Sequence, residues 1–398
     1  MKTSKLLLII AYLGFISLGL PDAAHGVNWP FVRQSLFVPI GWLGFVIAAG
    51  SVGYLISSFF VGQLLERWGI AWLLSLSSLL VSLGLFGFAI SQQFYIFCLF
   101  ASLIGLGSGG IDAGLNAYAA ENFSAKHMNW LHAAFGIGAT LGPVIVTWVL
   151  VHSDQQWRWG YALIGSLIFI MALVFVLSRN IWHKKTAHES TETTSPEEKG
   201  SQWRLLKHPT VRLQMLFFFV YTGLEFGVGQ WAFTVMTETR GISLAAAGTW
   251  AALFWAALAF GRILFGVLVE RFNVDRLLGL CLLGVVAGAG FFSLEQSPIF
   301  SFIGLVLIGF CAAPIFPCMI SQTANRVGKT HAPHAIGMQM SSAVLGAMTL
   351  PFASGIIAEH FGMNYLSLSF VIYAIIIACV FHRIRHSDAK GQVASLPR

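Results

Sequence analysis

The sequence predicts an all-α membrane protein with twelve transmembrane helices in two six-helix bundles related by pseudo-two-fold symmetry. Three observations predict it. The chain of 398 residues is 57% hydrophobic and only 10% charged, where a soluble domain carries about 25% charged residues. Its apolar residues fall into runs of roughly 20, long enough to cross a hydrocarbon core. A short motif also occurs twice: Gly62-Gln-Leu64-Leu-Glu66-Arg67 returns 204 positions later as Gly266-Val-Leu268-Val-Glu270-Arg271. The same offset superposes Gly19-Leu20 on Gly223-Leu224, Leu73-Leu74 on Leu277-Leu278, and Leu103-Ile104-Gly105 on Leu307-Ile308-Gly309. A repeat of this length is a duplicated half-protein, not a solenoid of short units.

The runs lie at about 5–27, 39–65, 71–90, 94–120, 128–151, 159–180, 211–236, 244–269, 276–294, 298–321, 333–359 and 364–386. In hydrocarbon each must satisfy its own backbone hydrogen bonds, so helix is the expected state. Span 1 could pass for a signal peptide, with Lys2 and Lys5 ahead of an apolar stretch and Ala23-Ala24 behind it. The repeat argues for retention, because this segment matches the helix around Gly223-Leu224. Pro21, Pro143, Pro314, Pro317 and Pro351 lie in or near spans and are candidate kinks. Between the halves, Ser190-Thr-Glu-Thr-Thr-Ser-Pro196-Glu-Glu-Lys199 has no apolar periodicity and reads as a flexible linker. The expected organisation is therefore a bundle over 1–180, a cytoplasmic linker over 181–210, a second bundle over 211–386 and a tail over 387–398. After residue 320 the offset grows to 208, with Gly138-Ala139 and Pro143 matching Gly346-Ala347 and Pro351. About four residues were added between spans 10 and 11.

The net charge of +7 reads as topology and not as nucleic-acid binding. With both termini cytoplasmic, nearly all Lys and Arg outside the spans fall inside, and Arg33, Arg158 and Arg240 fall outside. That is the positive-inside bias, and it predicts a multi-pass plasma-membrane protein, specifically of a bacterial inner membrane. The five cysteines all lie in spans without metal-ligand spacing. Neither a metal nor a cofactor is expected, and a monomer is. Gly105-x-Gly107-x-x-Gly110 satisfies a dinucleotide-binding pattern but lies inside a span with no strand before it, so it reads as helix packing. No hydrolase or ATP-driven motif occurs, and no enzymatic activity is expected.

Gly-x-Leu-x-Glu-Arg-x-Gly after span 2, with its second copy after span 8, resembles the signature of the major facilitator superfamily. In span 4, Gly105-Leu-Gly107-Ser-Gly-Gly-Ile-Asp112-Ala-Gly-Leu-Asn116-Ala-Tyr118 resembles the fucose-permease-type branch. Span 7 adds Gly223-Leu-Glu225-Phe-Gly227-Val-Gly-Gln-Trp231, similar to a pattern in the same group. The resemblance implies a sugar/proton symporter working by alternating access, and an acid in span 1, which Asp22 supplies. Two departures bear on which sugar: Asp112 stands where the branch often has Glu, and Ala117 where Pro is common.

Asp112 is the sharpest candidate for chemistry. It lies roughly 13 Å deep at 1.5 Å per residue, where a carboxylate costs on the order of 2.5–3.5 kcal/mol even on the lenient insertion scale. It reads as a proton carrier or as a fixed hydrogen-bonding group between helices. Asn116, one turn on along the same face, suits sugar hydroxyls or interhelical ties. Glu225, mid-span with no base near it in sequence, is a candidate for proton or solute binding. Asp22 and His132 are assigned to proton coupling as assistants. Gln230, Trp231 and Gln339 are secondary solute-binding candidates, with packing as the alternative. Gly62, Glu66, Arg67, Gly266, Glu270 and Arg271 read as a gate, the two glycines permitting close helix approach. Arg262 is grouped with that gate and not with the solute site. The expected partners are a small solute, specifically a sugar, with H⁺ as coupling ion, Na⁺ as the alternative, and the lipid bilayer. Two other readings stay open. One is a proton-coupled exporter of apolar compounds, suggested by Gly138-x-x-x-Gly142-Pro143. The other is a non-transporting sensor on a transporter scaffold.

Overall fold

The computed structural model describes residues 5–123, 125–182, 205–206, 208–268, 272–328 and 331–394. Twelve of its helices are long and apolar enough to cross a membrane. The first half holds α1 (Lys5–Ser35), α2 (Leu43–Trp68), α3 (Ile70–Ile90), α4 (Phe94–Asn122), α5 (Ala125–His152) and α6 (Trp157–Leu177). The second holds α7 (Pro209–Glu238), α8 (Leu244–Leu268), α9 (Val274–Ser293), α10 (Pro298–Ala312), α11 (Ile315–Ser321), α12 (Thr323–Val327), α13 (Ala332–Phe361) and α14 (Asn364–Ala394). The tenth span is α10 and α11 together, and α13 and α14 are the eleventh and twelfth. Most of the expected linker falls outside the described residues, as do Glu270 and Arg271.

Helix ends depart from the apolar runs where packing overrides composition. The run over 5–27 continues as helix to Ser35 through Pro21 and Pro30. Trp29 is 1% exposed and its indole donates to the Ile40 carbonyl at 2.8 Å, anchoring this end. Pro143 and Pro351 also lie inside continuous helices. Among the candidate kinks Pro314 interrupts its span, standing between α10 and α11; the proline ring clashes with the preceding turn and leaves a carbonyl unpaired. At the C-terminal end, helix extends beyond the apolar run to Ala394, over residues first assigned to a tail.

The duplication is visible in the packing. In the first half α1 packs on α5, α2 on α4, and α3 on α4 and α6; in the second α7 packs on α13, α8 on α10, and α9 on α10 and α14. Two equivalent crossings depend on equivalent glycines. A Cβ on Gly105 would lie 1.8 Å from the Gly50 carbonyl oxygen, and one on Gly309 would lie 2.4 Å from the Phe254 carbonyl oxygen. Both helix pairs are 204 positions apart, so the backbones touch at the same place in each half. This is the small-residue contact expected where lipid supplies no hydrophobic drive between helices. Gly105→Val should therefore destabilise the first bundle by more than about 3 kcal/mol, the upper end of ordinary overpacking. Retention of wild-type thermal stability in detergent would contradict this contact.

The halves meet through α1 with α7, α5 with α8 and α2 with α13; α1 faces its repeat equivalent, and the other two contacts are exchanged by the repeat, since α2 corresponds to α8 and α5 to α13. At the end away from both termini, an Arg33 Nη2 to Glu238 Oε2 ion pair of 2.6 Å joins α1 to α7, and Phe45 packs on Phe352 at 5.0 Å. Deeper, a Cβ on Gly26 would strike the Gly229 carbonyl oxygen at 2.5 Å. The Gln230 side-chain amide donates to the Asp22 carbonyl at 3.1 Å. Hydrogen bonds thus cross between the halves both at Arg33–Glu238 and at Gln230–Asp22. The gate glycines depart from expectation: a Cβ on Gly62 or Gly266 meets nothing within 4 Å. Neither supports close helix approach in this arrangement, because the halves are joined at the opposite end. Glu66 and Arg67 are exposed at the end of α2.

Candidate functional site

Two polar clusters face each other from the two halves. In the first, Asp112 of α4 is held on both oxygens. Tyr54 of α2 donates its hydroxyl to Oδ2, and Asn116 Nδ2 donates to Oδ1 at 2.8 Å. The Asn116 contact follows from the helix, since residues four apart share a face. The Tyr54 contact follows from the close α2–α4 crossing at Gly50 and Gly105. Asp22 of α1 lies within electrostatic reach of Asp112, and His132 of α5 within reach of both Asp112 and Arg262. The His132 ring also stands edge-on to Phe15, centroids 5.6 Å apart. His25, three residues from Asp22, points elsewhere: its Nδ1 lies 3.1 Å from the Tyr161 hydroxyl, against Phe88.

In the second cluster Glu225 of α7 is 7% exposed and pairs with Arg262 of α8, Nη2 to Oε1 at 3.2 Å. Tyr221, one turn before Glu225, lies beside this pair and donates to the Ala312 carbonyl at 2.9 Å. The structure thus moves Arg262 out of the gate, where the sequence grouped it. It projects from the C-terminal third of α8 onto α7 and supplies the base that Glu225 lacks in sequence.

Three other residues sit differently from a solute-contacting position. Trp231 is 0% exposed, and its indole donates to the Pro351 carbonyl at 2.9 Å, tying α7 to α13. Gln339 is 0% exposed; it donates to Gln214 at 3.0 Å and accepts from Thr323 at 3.1 Å, inside the second half. Both are placed as interhelical ties, the role polar groups commonly take between membrane helices. Gln230 crosses between halves to a backbone carbonyl, and its own Oε1 is buried with no hydrogen-bond partner among the described residues. Sequence reasoning missed Tyr54 and Tyr221. The signal for Tyr54 was present: it is the one phenol in span 2, set among Gly50, Gly53, Ser57 and Ser58. Among the described residues no group of His, Cys, Asp and Glu is placed to hold a metal ion.

Chemically, the first cluster is a carboxylate whose two oxygens are already engaged, so a proton or a hydroxyl must compete with Tyr54 or Asn116. The second is a largely buried ion pair beside the Tyr221 hydroxyl, with its guanidinium within electrostatic reach of His132 in the opposite half. Such clusters, set between two repeats, are how transporters build a site near the midplane.

A model of the Major Facilitator Superfamily matches residues 11–239 and again 231–395, and the chain belongs to that family of membrane transporters. It is similar to Bypass of stop codon protein 6 of Saccharomyces cerevisiae, 23% identical over 70% of this chain, spanning 61% of that protein's length. It is similar to the Sodium-dependent glucose transporter 1 of Homo sapiens, 25% identical over 90% of this chain and 74% of the relative. It is also similar to the Glucose/mannose transporter GlcP of Bacillus subtilis, 21% identical over 97% of this chain and 96% of the relative. Among solved structures, a bacterial homolog of the human lysosomal transporter Spinster superposes with TM-score 0.79 at 14% identity, covering 97% of each chain. The D-xylose-proton symporter superposes with TM-score 0.69 at 17% identity, covering 93% of this chain and 96% of that one. At these identities the structures speak for the fold.

Proposed function

We propose that this chain is a secondary active transporter that carries a sugar or similar small polar solute by alternating access, coupled to protons as a symporter. The observation that carries the proposal is the Asp112–Tyr54–Asn116 cluster of one half opposite the Glu225–Arg262 pair of the other. Hydroxyl-rich solutes need both donors and acceptors from their site, and carboxylates, amides and phenols provide them. The relatives that transport glucose or mannose by name support the solute class. An intramembrane acid is costly and is a functional group by default; Asp112 is read as the proton carrier, with Asp22 and His132 in support.

With both termini cytoplasmic, as the positive-inside bias directs, the Arg33–Glu238 end faces outward and is closed. The six-plus-six organisation about a central linker lets one bundle rock against the other. The exporter alternative rested on Gly138 and Gly142, and these pack onto α1 at the Ile16 and Leu20 carbonyls, which accounts for them without a transport role. Sodium coupling is the second reading, favoured by the name of the human relative.

The test is glucose uptake by purified protein in proteoliposomes under an imposed pH gradient or Na⁺ gradient, one at a time. Accumulation driven by acid outside is the expected result. Accumulation driven by Na⁺ alone would replace the ion, and absence of any sugar uptake would overturn the solute class.

A further inference from the structure

Gly136 of α5 and Ala259 of α8 mark a point where the two halves touch: a Cβ on Gly136 would lie 2.6 Å from the Ala259 Cβ. About one turn from this point, toward the end that carries the termini, each helix presents a basic side chain. On α5, which runs away from the termini, it is His132. On α8, which runs toward them, it is Arg262. His132 is exposed and the Arg262 side chain is 26% exposed, so neither is sealed inside a helix contact. They lie within electrostatic reach of each other. The guanidinium meets Glu225 at 3.2 Å and lies within hydrogen-bonding reach of Tyr221, two partners for a group that carries five donors in a rigid fork. Two basic groups brought together from opposite halves repel when both are charged, and an acceptor-rich group between them removes that cost.

Two acids stand near this pair: Asp112 lies within electrostatic reach of His132, and Asp22 within reach of Asp112. Asp112 and Asp22, on α4 and α1, belong wholly to the first half and would accept from hydroxyls. Apart from Glu225, which is already paired with Arg262, the acids stand on α1 and α4 and the basic groups at the α5–α8 crossing.

We propose that His132 and Arg262 form a two-sided clamp for the carboxylate of a sugar acid, whose ring hydroxyls point to Asp22 and Asp112. This rests on the sugar-transport reading and narrows its substrate class from neutral sugars to monosaccharides bearing a carboxylate. Arg262 is a specificity-determining residue in this scheme, because its planar fork matches a carboxylate in a way an ammonium does not. Asp22 and Asp112 in turn disfavour a carboxylate bound in the reverse orientation.

The test is equilibrium counterflow in proteoliposomes, which needs no ion gradient and so separates recognition from coupling. Glucuronate and glucose are the probes, and the readout is the ratio of their exchange efficiencies. The wild-type protein should prefer glucuronate. Arg262→Lys keeps a cation beside Glu225 and so protects folding, yet it should cut the ratio by about tenfold, the scale of one lost charge-assisted hydrogen bond. His132→Gln should cut it in the same direction from the opposite half. A general folding defect would lower both exchanges and leave the ratio unmoved. Exchange of glucose without glucuronate, or a ratio unchanged in both variants, overturns the clamp and leaves the sugar reading standing. Exchange of neither sugar overturns both.

Discussion

Asp112→Asn should abolish proton-driven accumulation, on the proposed symport reading, while leaving solute exchange in place. One pKa or pH unit corresponds to about 1.4 kcal/mol, so a one-proton symporter under a gradient of two pH units can concentrate its solute by about a hundredfold. Asparagine at this position cannot carry a proton in and out. Its amide keeps the shape of the protonated acid, and its oxygen can still accept from Tyr54 or Asn116. The variant should therefore bring solute only to equal concentrations on both sides of the membrane, with counterflow persisting. Both quantities are read in the same proteoliposome preparation by switching between a pH gradient and preloaded solute. A variant that still concentrates solute a hundredfold would remove Asp112 from the coupling path.

The second large effect is on stability. Arg262→Gln leaves Glu225, 7% exposed, without the partner it meets at 3.2 Å. Removing one member of a buried ion pair costs about 3–5 kcal/mol; with the Arg262 side chain 26% exposed, water compensates part of this and about 2–3 kcal/mol is the expected loss. Adding Glu225→Gln removes the orphaned charge and should restore most of it, because a neutral pair of similar volume needs no counterion. Thermal unfolding in detergent reports both. If the double variant is no more stable than Arg262→Gln alone, the cost comes from lost packing of the arginine stem and not from the stranded carboxylate.

The fold was legible because two signals in the sequence are independent of each other. Span length is set by the bilayer, and the 204-residue offset is set by duplication; both give the same six-plus-six arrangement. Even packing detail followed, since the offset that pairs Gly105 with Gly309 pairs the contacts each makes. The site was legible only in part. Asp112 and Asn116 could be joined because four residues on one helix fix a shared face. Tyr54 and Arg262 reach their partners across helices separated by 58 and 37 residues, and nothing in local spacing reports such a meeting. Arg262 was misplaced for the same reason: its sequence neighbours belong to the gate, its spatial neighbours to Glu225. Trp231 and Gln339 showed the converse difficulty. A polar or aromatic residue in a span looks the same in sequence whether it faces a solute or ties two helices together, and the carbonyl of Pro351 and the amide of Gln214 decide it.

The Arg33–Glu238 pair has a consequence for the surroundings in which the protein works. Its two side chains are 23% and 25% exposed, so the pair is wetted by the compartment it faces. Mobile ions attenuate attraction over about 10 Å at 0.1 M and about 3 Å at 1 M. Rising salt on that side therefore loosens this ionic link between the halves, while the deeper contact of Gly26 with Gly229 is indifferent to it. On the alternating-access reading, the balance between closed and open forms of that end would then respond to external ionic strength and not to uncharged osmolytes.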